Sequence, residues 1–119
     1  MKLLLITLLL TFNLLHAKSS GHIEKGMNYE KARKILLNSG WKPLIMHPNS
    51  KCWKTYQDEN VYSCKFKEID DCSGTGLGYC QMWFYDNNHN FLSITTVEGE
   101  PPSSIINSWK KTTKKPKIY

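Results

Sequence analysis

All four cysteines of this 119-residue chain, Cys52, Cys64, Cys72 and Cys80, fall in one 29-residue stretch. Whether they hold a metal or each other decides what so short a chain can fold into. They are separated by 11, 7 and 7 residues, without the C-x-x-C pair that zinc modules use. The chain also opens like an export signal, which places it where thiols are oxidised. An even number of cysteines in such a chain reads as two disulfides, with three pairings to choose from. Cys72–Cys80 and Cys52–Cys64 are favoured because they close short local loops, each stabilising by about 2–3 kcal/mol. No metal site and no cofactor is expected.

The export reading rests on the first 17 residues. Lys2 is the positive leader, Leu3 to Leu15 is apolar apart from Thr7, Thr11 and Asn13, and Ala17 is the small residue at the cut. That run is about a dozen residues, whereas a membrane span needs roughly 20. No cysteine stands at the cut to take a lipid, and no later run is long and apolar enough for stable membrane insertion. A periplasmic or secreted protein is expected, with residues 1–17 as signal peptide.

What remains is about a hundred residues, one domain's worth. The formal net charge of the whole chain is +6, and the signal takes one lysine with it. Lys110, Lys111, Lys114, Lys115 and Lys117 carry the rest of the excess, so the fold itself is balanced and the basic character belongs to a tail. The expected organisation is a flexible stretch at 18–26, a single domain at 27–109 and a disordered basic tail at 110–119.

Within the domain, Asn28 reads as an N-cap with Glu30 in the first turn, and Tyr29, Ala32, Ile35 and Leu36 form one apolar stripe. Gly40 suits the left-handed position that ends a helix. Trp41 to Met46 continues as an edge strand, since Pro43 lacks a donor. His47 to Asn60 reads as a loop. Val61 to Ile69 alternates like a half-buried strand, and Asp70 to Gly78 is a turn-rich link. Tyr79 to Tyr85 and Phe91 to Val97 are two more strands joined through Asp86–Asn90. Ser103 or Ser104 then caps a short helix presenting Ile105, Ile106 and Trp109. The class expected is α+β: an N-terminal helix packed on a three- to four-stranded antiparallel sheet, a short C-terminal helix, and disulfide staples.

Two segments carry the functional expectation. Asp70-Asp71-Cys72-Ser73-Gly74-Thr75-Gly76-Leu77-Gly78-Tyr79-Cys80 has alternating glycines, but a strand follows them where a phosphate loop needs a helix N-terminus. Its two aspartates lack the continued spacing of a calcium loop. It reads as a disulfide-held loop that presents Ser73, Thr75 and Leu77. Aromatic residues are the second feature, because Cys80, Met82 and Phe84 share one face of their strand while Tyr79, Trp83 and Tyr85 share the other. One helix cannot cover both. Either the segment with Trp109 covers the second face or an aromatic patch is left for a partner.

Gly26-Met27-Asn28-Tyr29-Glu30-Lys31-Ala32-Arg33, running into Leu36, Leu37, Gly40 and Trp41, resembles the helix-to-strand opening of PASTA-like modules. Together with Cys72-Ser73-Gly74-Thr75-Gly76 and Cys80, it resembles small exported bacterial proteins of unknown function over residues 26–97. The resemblance implies an envelope setting and brings no catalytic residues. PASTA modules bind cell-wall material, but this chain has one copy and an inserted cysteine region, so that ligand is not carried over.

The function expected is a non-enzymatic binding protein that acts on a partner protein as inhibitor, immunity protein or envelope accessory factor. Trp53, Ser73, Thr75, Leu77, Trp83 and Tyr85 are its expected contacts. The first alternative is a polyanion, whether nucleic acid, anionic lipid or cell-wall polymer, held by Lys110, Lys111, Lys114, Lys115 and Lys117. The second is a small ribonuclease-type hydrolase using His47 and His89 as its acid–base pair.

Overall fold

Helix α1 (Tyr29–Asn38) begins where the Asn28 side chain accepts the backbone N–H of Lys31, at 3.3 Å. It ends where Gly40, at φ +94°, turns the chain back and Trp41 N–H reaches the Leu36 carbonyl at 3.0 Å. The computed structural model describes residues 22–48, 65–73 and 76–119. The expected signal peptide, the cysteines Cys52 and Cys64, and the contacts Trp53 and Thr75 lie outside the described residues.

Five strands follow α1 among the described residues and form one antiparallel sheet. They are β1 (Lys42–Pro43), β2 (Ile69–Cys72), β3 (Cys80–Tyr85), β4 (Phe91–Val97) and β5 (Ile105–Thr112). β3, β4 and β5 run side by side, while β1 and β2 share the other edge of β3. β1 pairs with its Phe84–Tyr85 end, and β2 with its Cys80–Met82 end. The α+β class is as expected.

The pleat sorts the side chains. On one face Met82, Phe84, Leu92, Ile94 and Ile106 are buried against Tyr29, Ala32, Leu36 and Trp41 of the α1 region. Each large apolar side chain buried there stabilises the fold by about 1.5–3 kcal/mol. The Cys72–Cys80 disulfide links directly opposed residues of β2 and β3. No described helix is long and apolar enough to cross a membrane.

Three expectations are corrected. The first concerns the segment Val61–Ile69. Of its described residues, Lys65 to Glu68 form no strand, Lys67 and Glu68 being a turn, and the strand begins only at Ile69, as Ile69–Cys72. Phe66 and Glu68 still alternate inward, and Glu68 is held there by α1: its carboxylate is fully buried, accepts Tyr29 Oη–H at 2.8 Å and is ion-paired with Arg33. Burial, with Glu68 next, pushes the Tyr29 hydroxyl well above its ordinary pKa. For Arg33, burial works to lower the pKa, and the hydrogen bond and charge of Glu68 outweigh it, leaving the guanidinium raised.

The second correction is the short C-terminal helix. Residues 105–112 are β5, paired with β4 along its whole length. β-branched Ile105, Ile106 and Thr112 suit a strand. Ser104 starts no helix of its own, because its carbonyl accepts Tyr29 N–H at 3.0 Å and so caps α1 instead. The third is the tail, whose residues 110–112 are the end of β5. Residues 113–119 then return to the body, where Tyr119 N–H donates to the Met46 carbonyl at 3.0 Å and its ring stacks on His47, 5.2 Å between centroids and 10° from parallel.

Candidate ligand-binding groove

The sheet face opposite α1 carries the odd-numbered residues of the central strands, with Gln81, Trp83 and Tyr85 from β3 and Phe91, Ser93 and Thr95 from β4. Strict alternation from buried Ile106 would send Lys110 to the helix side. A bulge prevents this. Thr96 pairs with Ile106 and Thr95 with Ser108, so Asn107 is an extra residue in β5. Beyond it, Lys110 lies opposite Ser93 and Thr112 opposite Phe91, both on the free face, while Lys111 lies opposite buried Leu92. One inserted residue thus decides which lysine faces the groove.

That groove encloses about 790 Å³. Gln81, Trp83 and Ser93 form its floor, where Gln81 Nε2 donates to Ser93 Oγ at 3.2 Å. One wall holds Asp70, whose carboxylate accepts the Trp83 indole N–H at 3.4 Å. The other comes from the end of β5 and the returning segment, with Lys110, Lys114, Lys115 and Lys117 around Pro116 and Tyr119. Side chains bonded to the backbone shape the return: Thr112 Oγ1 accepts Lys114 N–H at 3.2 Å, and His47, under the Tyr119 ring, has Nε2 2.6 Å from the Asp70 carbonyl. Lys117 Nζ lies 5.6 Å from the Tyr119 ring centroid. The two walls therefore differ in sign, four ammonium groups facing one carboxylate.

The disulfide loop sits further along the same edge. Ser73 N–H donates to the Tyr79 carbonyl at 2.6 Å, and the loop leans on the β4–β5 turn through Glu98 N–H to the Leu77 carbonyl at 2.9 Å. Gly78, at φ +65°, approaches so closely that a Cβ there would stand 2.5 Å from Gly99 N. The Leu77 side chain is left 65 % exposed at the tip. Between loop and groove is a shallow cleft lined by Asp71, Ser73, Tyr79 and Thr95, with Gln81 as the residue common to both.

Of the residues singled out in the sequence, Trp83 lies in the groove with Lys110, Lys114, Lys115 and Lys117. Ser73 lines the adjoining cleft, and Leu77 stands apart at the loop tip. Tyr85 shares the face of Trp83 but does not line the groove, and Lys42 Nζ lies 6.0 Å over its ring. Lys111 belongs to the opposite face. His47 is engaged with Asp70 and Tyr119, whereas His89 stands at φ +62° in the exposed β3–β4 hairpin.

Asp70, Gln81, Ser93 and Tyr119 were missed. Gln81 and Ser93 were readable in principle, since they alternate in step with Trp83. Tyr119 left no signal, because its place depends on where Met46 and His47 lie. Among the described residues, no group of His, Cys, Asp and Glu side chains is placed to hold a metal ion. Among the described residues, fold and groove together define an α+β domain that presents one open sheet face. Comparison with known protein families, with curated proteins and with solved structures finds no match.

Proposed function

We propose that this is an exported, non-enzymatic binding protein that docks a partner protein on the sheet face opposite α1, as an inhibitor, an immunity protein or an envelope accessory factor. The observation that carries this reading is the groove floored by Trp83 and walled by the segment returning from β5. An indole half-buried in a face that no described helix covers has the composition of a binding hot spot. The Cys72–Cys80 bridge supports export, because such bonds persist in oxidising compartments.

The polyanion reading draws on the same lysines, and β5 gives it an ordered wall in place of a loose tail. Two features weigh against it: Lys111 lies on the other face, and Asp70 stands in the wall a uniform polyanion would have to pass.

Affinity capture from envelope extract tests the proposal, with the wild-type protein, Trp83→Ala and Leu37→Ala as baits. Leu37 is exposed on α1, remote from the groove face. A partner retained by wild type and Leu37→Ala but lost by folded Trp83→Ala is the expected result. Equal retention by all three refutes the use of this face.

A further inference from the structure

We infer that the groove takes an acidic peptide segment, with an apolar or aromatic side chain seated over Trp83 and its carboxylates turned toward Lys110, Lys114, Lys115 and Lys117. This rests on the reading of the face as a protein-docking surface and names the chemistry of what docks there. Charge complementarity is the first argument. The four lysines are all exposed, and among the described residues the ion pairs are Arg33–Glu68 and Lys65–Glu30, neither of which involves them. Their charges are therefore available to an incoming ligand.

The asymmetry of the walls selects among anions. Asp70 faces the lysine wall, and Asp71 follows in the adjoining cleft. A nucleic acid carries a phosphate at every step, so a strand lying along this face would set some of its phosphates against those two carboxylates. A peptide, whose successive side chains alternate sides, can carry its carboxylates on one side alone. The floor matches a peptide too, because Gln81 and Ser93 offer an amide and a hydroxyl of the kind that pairs with backbone groups. The cation type points the same way. Arg33 is the single arginine of the chain, and it is committed to Glu68 beneath α1. The groove thus has no guanidinium, the group best shaped for bidentate phosphate recognition.

The test uses protein produced from the full chain and a fluorescein-labelled, glutamate-rich peptide with one central phenylalanine, read by anisotropy at 50 mM salt. The controls are the same peptide with glutamines for glutamates, and an oligothymidylate of equal charge. The acidic peptide should bind, and the glutamine peptide and the oligothymidylate should each bind at least tenfold more weakly. Replacing the four lysines by glutamine should weaken the acidic peptide roughly 10- to 50-fold, as should raising the salt to 0.5 M. The pair Lys114→Glu and Lys115→Glu, on exposed side chains, gives the same readout without touching packed atoms. No binding of the acidic peptide, equal binding of the glutamine peptide, or equal or tighter binding of the oligothymidylate overturns the inference. In the capture experiment, a partner kept by the four-lysine variant but lost by Trp83→Ala leaves the docking face standing and overturns the acidic ligand alone. A partner kept by Trp83→Ala overturns the face itself.

Discussion

Replacing Arg33 by alanine removes the cation that faces a fully buried carboxylate. Glu68 is 0 % exposed and receives both of its hydrogen bonds on Oε1, from Tyr29 Oη and Arg33 Nε, while Oε2 has no partner among the described residues. Removing one partner of a buried pair costs about 3–5 kcal/mol, since the remaining charge is left uncompensated. The low end applies here, because the Arg33 side chain is 25 % exposed and water can enter beside it. The guanidinium also lies 5.4 Å from the Phe66 ring centroid, a contact of about 0.5–1 kcal/mol. The expected loss is therefore about 3.5–4 kcal/mol, a fall in Tm of roughly 15–20 °C for a domain of this size. Urea unfolding of the oxidised protein with linear extrapolation measures it. The double variant Arg33→Met with Glu68→Leu should come back to within about 1 kcal/mol of wild type, since a packed apolar pair replaces a buried ionic one. If Arg33→Ala costs less than about 1 kcal/mol, or the double variant loses as much as the two singles combined, Glu68 is not held as described.

Converting Cys72 and Cys80 together to serine opens a loop with a sequence separation of 8. The expected cost is about 2.5 kcal/mol from chain entropy, read as a lower urea midpoint than that of the oxidised wild type. Gly78→Ala should destabilise by more than about 2 kcal/mol, because its Cβ meets the Gly99 backbone as well as a left-handed φ. Gly76→Ala, at φ +71° with nothing within 4 Å, meets the φ term alone and should cost about 1 kcal/mol, so equal costs refute the Gly78–Gly99 approach. Asp86 titrates below its ordinary range. Burial pushes its pKa up, but hydrogen bonds from the Asn90 side chain, from the Asn90 and Asn88 backbone N–H groups, and the charge of Lys111 together outweigh that. A carboxylate depressed on folding stabilises the protein above its unfolded pKa and stops doing so as pH falls through the folded one. The stability gap between wild type and Asp86→Asn should thus be present at neutral pH and shrink below about pH 4, and a gap unchanged down to pH 2 refutes it.

The parts of this fold that were legible are those that short-range interactions settle. Asn28 and Gly40 mark the ends of α1, and the strict alternation of Cys80–Tyr85 and Phe91–Val97 sets which residues go inside. Lys65–Glu68 was misread because Phe66 and Glu68 alternate as a strand would, and Glu68 enters the core only because Tyr29 and Arg33 of α1 neutralise it there. Residues 105–112 were misread because Ile105, Ile106 and Trp109 fit a helical stripe as well as a strand. The presence of β4 beside them decides for the strand, by taking up their backbone groups. For the groove, Trp83 and the lysines were visible as residue types, while their meeting was not.

By itself, the sequence determined the α+β class, α1 with its caps, the two central strands and the closing of Cys72 on Cys80. Each depends on residues within about ten positions of one another, where propensity and spacing act directly. Tertiary structure alone decided β5, the burial of Glu68, the extra residue at Asn107 and the return of residues 113–119 to Met46 and His47. These depend on partners far off in the chain, and nothing local marks them. Asn107 is an ordinary polar residue until pairing with β4 makes it one too many, and that single misfit turns Lys110 toward Trp83.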